Sequence, residues 1–249
     1  MQRFFLSDEK IDCINKAIKI DGNDAAHIIK SLRMKIGEKL VVCDMRKDEF
    51  ECEISAIDKG SVILKILITK KNDTEPDFRA YLYQALPKGD KMDYIVQKAV
   101  ELGVYEIIPF VSERCISRPD AESCLKKTVR WRKIAEEAAK QCGRGVIPTV
   151  RGVIDYKAAL EEIRGGSAFL CYEGDETEQL GDIIKSTGNE NGTEIKFIIG
   201  PEGGFGLNEI KTARRLNVRL AGLGKRILRC ETAAGFVLSC LVYERELRR

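Results

Sequence analysis

From Phe78 to the end of the chain, short β-favouring runs and helical stripes take turns, and few folds accept that order. FRAYLYQAL (78–86), YEIIPFV (105–111), SAFLCYE (167–173), EIKFIIG (194–200) and VRLAGLG (218–224) read as strands. Helical patterns at 88–103, 123–142, 155–164, 207–216 and 231–247 separate them. In the first of these, Met92, Ile95, Val96 and Ala99 fall on one stripe, and Gly103 stands where a helix C-terminus favours glycine. Parallel strands need a crossover between them, usually a helix, so this region is predicted to be an α/β domain with a largely parallel sheet.

The preceding residues obey a different period. Phe50, Cys52 and Ile54 alternate with polar residues, and after the turn Asp58-Lys59-Gly60-Ser61 the alternation resumes at Val62, Leu64, Ile66 and Ile68. A hairpin-rich barrel or sheet follows, interrupted by a short helix around HIIKSLRM (27–34), where Ile28, Ile29 and Leu32 share a face. KKNDTEPD (70–77) is polar, turn-forming and proline-containing, which suits a linker. Two domains are therefore expected, 1–72 and 76–249, with STGNENGTE (186–194) as an exposed loop in the second. A chain of 249 residues with 44% apolar composition can supply cores for both.

Several function classes lack their residues. MQRFFLSDEK has no apolar stretch after its basic residue, and no run approaches the roughly 18 apolar residues of a spanning helix, so a soluble, cytoplasmic protein without a membrane partner is expected. The nine cysteines never adopt C-x-x-C spacing and His27 is the single histidine, which leaves zinc and iron–sulfur sites without ligands. Reduced, mostly buried thiols are the expectation. A net charge of +3 does not select a partner, so local clusters must.

IIGPEGGFG (198–206) and AGLGKRILRCETAAG (221–235) each follow a predicted strand, where open α/β sheets bind ligands. Neither is a phosphate cradle, since no Lys-Ser or Lys-Thr follows Gly204 or Gly206. Neither completes the dinucleotide fingerprint, because Leu-Asn-Glu follows the glycines at 204–206 and Lys-Arg-Ile those at 222–224. Glu202 and Glu231 favour a cationic or zwitterionic ligand over a polyphosphate, because a carboxylate beside an anion costs Coulomb energy. Glu202 can equally cap helix 207–216 or pair with Arg229, and Leu223, Ile227 and Leu228 can be ordinary core.

Taken together, IGPEGGFGLNEI (199–210), LGKRILRCETAAG (223–235), LPKGDKMDYIVQKAVELGV (86–104), PFVSERC (109–115), WRKIAEEAAKQCGR (131–144) and HIIKSLRMKIG (27–37) resemble the ribosomal RNA small subunit methyltransferase E family. That family belongs to the SPOUT class, and the resemblance runs over nearly the whole chain. One departure is Lys225, where the family often has proline. The resemblance implies a mostly-β PUA-like N-terminal RNA-binding domain, an α/β SPOUT domain with a trefoil knot, and a homodimer. It also implies S-adenosylmethionine as cofactor and methylation of N3 of one uridine in 16S rRNA of the small ribosomal subunit. A non-catalytic RNA-binding or assembly factor on the same fold is the alternative.

By that resemblance the cofactor wall comprises Leu170, Tyr172, Glu173, Ile199, Gly200, Glu202, Gly203, Leu223, Gly224, Arg226, Ile227, Leu228, Glu231, Thr232 and Ala233. Glycines at 200, 203, 222 and 224 suit close approach of the ligand to backbone. Uridine N3 carries a proton at neutral pH, so catalysis needs a base or a stabilised anion. Arg226 or Arg229 can stabilise charge on the uracil oxygens, and Glu202 or Glu231 can take the proton if its pKa is raised. The alternative is that these arginines merely pair with these acids. Arg3, Lys30, Arg33, Lys35, Lys88, Lys91, Arg114 and Arg144 are the candidate RNA contacts, and no residue is a candidate metal ligand. Lys211 to Cys230 is basic without an acid, and Lys126, Arg130, Lys133 and Lys140 form a basic helix face, which solvation alone also explains.

Overall fold

A computed structural model describes residues 1–7, 10–164, 168–187 and 194–248. It divides into one unit of Met1–Glu75 with Ala139–Ile147 and another of Pro76–Ala138 with Pro148–Arg249.

The first unit holds β1 (Gln2–Phe5), β2 (Ile11–Asp12), β3 (Ala17–Ile20), α1 (Gly22–Ala26), β4 (Lys39–Cys43), β5 (Asp48–Asp58) and β6 (Ser61–Lys71), with a π turn His27–Ser31 continuing α1. Its six-stranded sheet runs β1-β4-β5-β6-β3-β2. Lys59 and Gly60 close the β5–β6 hairpin with φ of 33° and 92°, the positive values a tight hairpin turn needs. The alternating residues Phe50, Cys52, Ile54, Val62, Leu64 and Ile66 enter the core with Phe4, Ile18, Ile20 and Leu40. Ile68 does not: the register slips between Glu51 and Cys52, and Ile68 is 52% exposed. The helix expected at 27–34 starts earlier, at Gly22, although Ile28, Ile29 and Leu32 do pack on the core.

Two residues of the polar stretch 70–77, within which the two units divide, are fixed by side-chain bonds. Asn72 is buried and its side-chain amide donates to Glu49 Oε2 at 3.0 Å and to the Gly143 carbonyl at 3.1 Å. Glu75 accepts the Arg144 guanidinium at 2.7 Å and the Gly145 amide at 2.9 Å. Buried polar groups persist where they are bonded, and these residues are.

The second unit begins with β7 (Arg79–Ala85), α2 (Lys91–Glu101), β8 (Glu106–Val111) and α3 (Ala121–Cys142), whose last residues are counted with the first unit. Then come β9 (Thr149–Val150), β10 (Ile154–Asp155), α4 (Tyr156–Glu162), β11 (Ala168–Cys171), β12 (Glu178–Gln179) and α5 (Leu180–Ser186). β13 (Glu194–Ile199), α6 (Leu207–Arg215), β14 (Arg219–Gly222) and α7 (Cys230–Val242) complete it, with a π turn Tyr243–Leu247 after α7. The sheet order is β10-β8-β7-β13-β11-β14-β12, β9 lies beside β8, and every pairing is parallel. Helical crossovers dictate that pattern, and Phe110, Phe169, Phe197 and Leu82 are fully buried in it.

Met92, Ile95, Val96 and Ala99 form the buried face of α2 as their spacing requires. Gly103 follows with φ of 81°, and a Cβ there would meet Pro76 Cγ at 2.6 Å. Helix α5 and strands β9, β10 and β12 are short and carry no periodic signal in the sequence. Of the loop expected at 186–194, residues 188–193 lie outside the described residues, as does residue 167 of the predicted β11 segment; Ser186 ends α5 and Glu194 opens β13.

Candidate active site

Parallel register brings three carboxyl ends together. Ile198 pairs with Leu170, and Leu170 with Leu220, so β13, β11 and β14 finish side by side. Segments 171–177, 199–205 and 222–233, which leave those ends, line one cavity of about 360 Å³. The size suits a small-molecule ligand.

Among the candidate cofactor residues, Tyr172, Glu173, Ile199, Gly200, Glu202, Leu223, Gly224, Arg226, Ile227, Leu228 and Ala233 line the cavity. Leu170, Gly203, Glu231 and Thr232 do not: Leu170 is fully buried within β11, and Gly203 faces Arg114 instead. Arg229, a catalytic candidate, lines it too. Ile227 is 82% exposed, which removes it from the core. Cys171, Gly174, Thr177, Pro201, Phe205, Lys225 and Cys230 also line the cavity. Thr177 carries no sequence signal of its role, whereas Cys171 and Phe205 are legible only as neighbours of predicted strand ends.

Two of the glycines work within the protein. A Cβ on Gly200 would lie 2.8 Å from the Phe205 ring, and one on Gly222 would lie 2.7 Å from Thr177 Oγ1. Their missing side chains let cavity-lining groups pack, rather than clearing space for a ligand alone.

The acids have other partners than those expected. Glu202 accepts Lys91 Nζ at 2.9 Å and the Lys88 backbone amide at 3.1 Å, and Glu231 Oε2 lies 3.5 Å from the same Lys91 Nζ. Helix α6 is capped by Glu209, not Glu202: its carboxylate accepts the Gly206 amide at 2.9 Å and the Glu113 amide at 2.8 Å. Burial opposes ionisation of Glu202, yet hydrogen bonds from Lys91, its own backbone amide and that of Lys88 prevail, and its pKa falls below the ordinary carboxylate value. Burial likewise opposes ionisation of Glu231. Its own amide, the Cys230 thiol and Lys91 outweigh it, and that pKa is lowered too. The raised pKa required of a proton acceptor is therefore found at neither. Burial, with the hydrogen bond donated to Glu231, pushes the Cys230 thiol up to about 12.

The side chains of Arg226 and Arg229 stand exposed at the cavity without an ion pair or hydrogen bond among the described residues, so they do not neutralise Glu202 or Glu231.

Several candidate RNA contacts are held by the protein itself. Arg3 pairs with Glu49 at 2.7 Å, and Arg144, only 5% exposed, pairs with Glu75. Both are structural cations, because a buried carboxylate already neutralises each. Lys91 binds the two acids, and Arg114 Nη1 donates to the Gly203 carbonyl at 2.9 Å. The side chains of Lys30, Arg33, Lys35 and Lys88 are exposed and form no bond among the described residues. On α3, Lys126 pairs with Glu122 at 2.7 Å and Arg130 with Asp93, so part of that basic face is internally neutralised. Among the described residues no group of three or more His, Cys, Asp or Glu is placed to hold a metal, and no helix is long and apolar enough to cross a membrane.

The chain is an all-parallel α/β unit whose strand-end loops line a cavity, with a small β-rich unit, and its class is that of the RNA methyltransferases: residues 74–242 match the RNA methyltransferase domain family and residues 20–67 the RNA methyltransferase PUA domain. The chain is 32% identical over 256 residues to the ribosomal RNA small subunit methyltransferase E of Bacillus subtilis, covering 100% of this chain and 99% of that one. It is 33% identical to the protein of that name from Mesomycoplasma hyopneumoniae, with 96% and 98% covered. A crystal structure of the Neisseria gonorrhoeae protein of that name, bound to S-adenosyl methionine, superposes with a TM-score of 0.85 at 30% identity, covering 98% of both chains. The chain belongs to the ribosomal RNA small subunit methyltransferase E family.

Proposed function

We propose that this protein methylates N3 of a uridine in 16S rRNA, using S-adenosylmethionine bound where β11, β13 and β14 end. The observation that carries the reading is a cavity that both glycine-rich turns line. Its lining fits the group: backbone-rich turns and the apolar Ile199, Leu223, Leu228 and Ala233 suit close packing against a small organic ligand. Bound there, the cofactor supplies an activated methyl group on a positively charged sulfur.

The chain's own residues supply position and charge. Tyr172, Gly200 and Leu223 stand at neighbouring strand ends and form the wall that orients the cofactor. Arg226 and Arg229, uncommitted to any internal acid, stabilise negative charge on the uracil oxygens as the N3 proton passes to solvent water. Glu202 and Glu231 stay ionised and serve as anchors, because their pKa values lie on the low side. Anion stabilisation and proximity therefore carry the reaction rather than a strong general base.

Residues 1–72 are read as the PUA-like domain that grips rRNA through Lys30, Arg33 and Lys35, and 76–249 as the SPOUT domain with a trefoil-knotted C-terminal segment. A homodimer is supported by the exposed apolar side chains of Phe236, Tyr243 and Leu247 along and beyond α7. The substrate is 16S rRNA of the small ribosomal subunit, and the cytoplasm the site of action. Calorimetry with S-adenosylmethionine tests the reading: uptake of one equivalent per chain is expected, and no uptake leaves an RNA-binding or assembly factor instead.

A further inference from the structure

Lys91 looks, by charge and motif, like one more contact for rRNA, and its surroundings say otherwise. It is the first residue of α2, where the helix dipole disfavours a cation. Local preference broken in this way marks a place where something else decides the residue. Here that is a pair of acids from two separate segments. Nζ lies 2.9 Å from Glu202 Oε1 in the turn after β13 and 3.5 Å from Glu231 Oε2 in the first turn of α7. The Lys88 backbone amide adds a second bond to Glu202, and the Cys230 thiol a second bond to Glu231.

Both segments line the cavity: Gly200, Pro201, Glu202 and Phe205 from one, Cys230 and Ala233 from the other. Lys91 does not line the cavity itself. Without its ammonium, two ionised carboxylates within reach of one point would repel and drive the turn and the helix apart.

We propose that Lys91 is the positioning residue of the methyl-transfer site, its ammonium fastening the turn after β13 to the start of α7 and so setting the width and charge of the cofactor cavity. The inference rests on the methyl-transfer reading and adds to it a residue that touches neither substrate nor cofactor. Burial raises each carboxyl pKa, and Lys91 is among the groups whose hydrogen bonding and attraction oppose it.

The test compares wild type, Lys91→Met, Lys91→Arg and the double variant Lys91→Met with Glu231→Gln. For each, S-adenosylmethionine affinity is measured by calorimetry, KM for the cofactor and kcat on unmodified small subunits by label transfer, and rRNA affinity as a function of salt. Lys91→Met is expected to weaken cofactor binding and raise its KM by about tenfold. Lys91→Arg, which keeps the charge and the reach, stays within about threefold of wild type. The double variant, having no facing pair of like charges, regains part of the lost affinity, which a merely structural lysine would not produce. That comparison also holds if the single variant folds poorly. Affinity for rRNA and its salt slope are expected to stay unchanged. Wild-type cofactor affinity in Lys91→Met, or weaker rRNA binding with a salt slope shallower by about 1 and intact cofactor affinity, overturns the proposal and returns Lys91 to the rRNA contacts. Wild-type protein that takes up no cofactor refutes the methyl-transfer reading itself, an outcome distinct from equal binding by wild type and variant.

Discussion

Arg144 separates the structural account from the charge-based one, because Arg144→Met should damage the fold rather than RNA binding. Its Nε and Nη2 donate to Glu75 at 3.2 and 2.7 Å, and the two side chains are 6% and 7% exposed. Removing one partner of a buried ion pair costs about 3–5 kcal/mol, since the other charge stays buried. Glu75 would keep the Gly145 and Val146 amides at 2.9 and 3.2 Å, which softens that loss. The lower end, about 3 kcal/mol, is the expected destabilisation. Urea unfolding gives its size, and hydrogen exchange at the Gly145 and Val146 amides reports whether the loss is local to this pair. A loss below about 1 kcal/mol, accompanied by weaker rRNA binding with a shallower salt dependence, would refute the reasoning and make Arg144 a phosphate contact.

Gly200→Ala places a Cβ 2.8 Å from the buried Phe205 ring; thermal unfolding should show a loss of about 1–3 kcal/mol, and calorimetry a weaker cofactor site. Arg226→Ala should lower kcat by roughly 10²–10³ while leaving cofactor affinity near that of wild type, and unchanged turnover would remove this arginine from the mechanism. The Glu202 pKa is lowered in the folded state, so its stabilisation is complete above the ordinary value of 4.5 and disappears as pH falls through the lower folded value. Denaturation of wild type and Glu202→Gln should accordingly differ at neutral pH and converge as the pH falls through the lowered folded value. A gap that widens on acidification contradicts that sign.

Backbone periodicity and turn chemistry were legible, and partners of charged side chains were not. β7, β8, β11, β13 and β14 fall within their predicted segments because apolar runs between helical stripes admit little else. Glycines after β13 and β14 located the cavity for the same reason: a strand end in an open sheet has few uses for such a turn. The sign of a side chain, however, does not say whether its counter-ion is a phosphate or a distant carboxylate. Arg3 and Glu49 are 46 residues apart, Arg144 and Glu75 are 69, and Lys91 and Glu202 are 111. No pattern in a single sequence links positions so separated. Helix α5 escaped for another reason, since its seven residues give only Leu180, Ile183 and Ile184 as a buried face, too short for a helical period to stand out.

Transfer of a labelled methyl group decides whether the cavity does the work assigned to it. The protein is incubated with labelled S-adenosylmethionine and small subunits lacking the modification, and the 16S rRNA is digested to nucleosides and separated. Label on N3 of uridine at a single site, abolished together with cofactor uptake when the cavity wall is disrupted, is the expected result. Label on a base carbon, on a ribose oxygen or on no nucleoside at all would contradict the account.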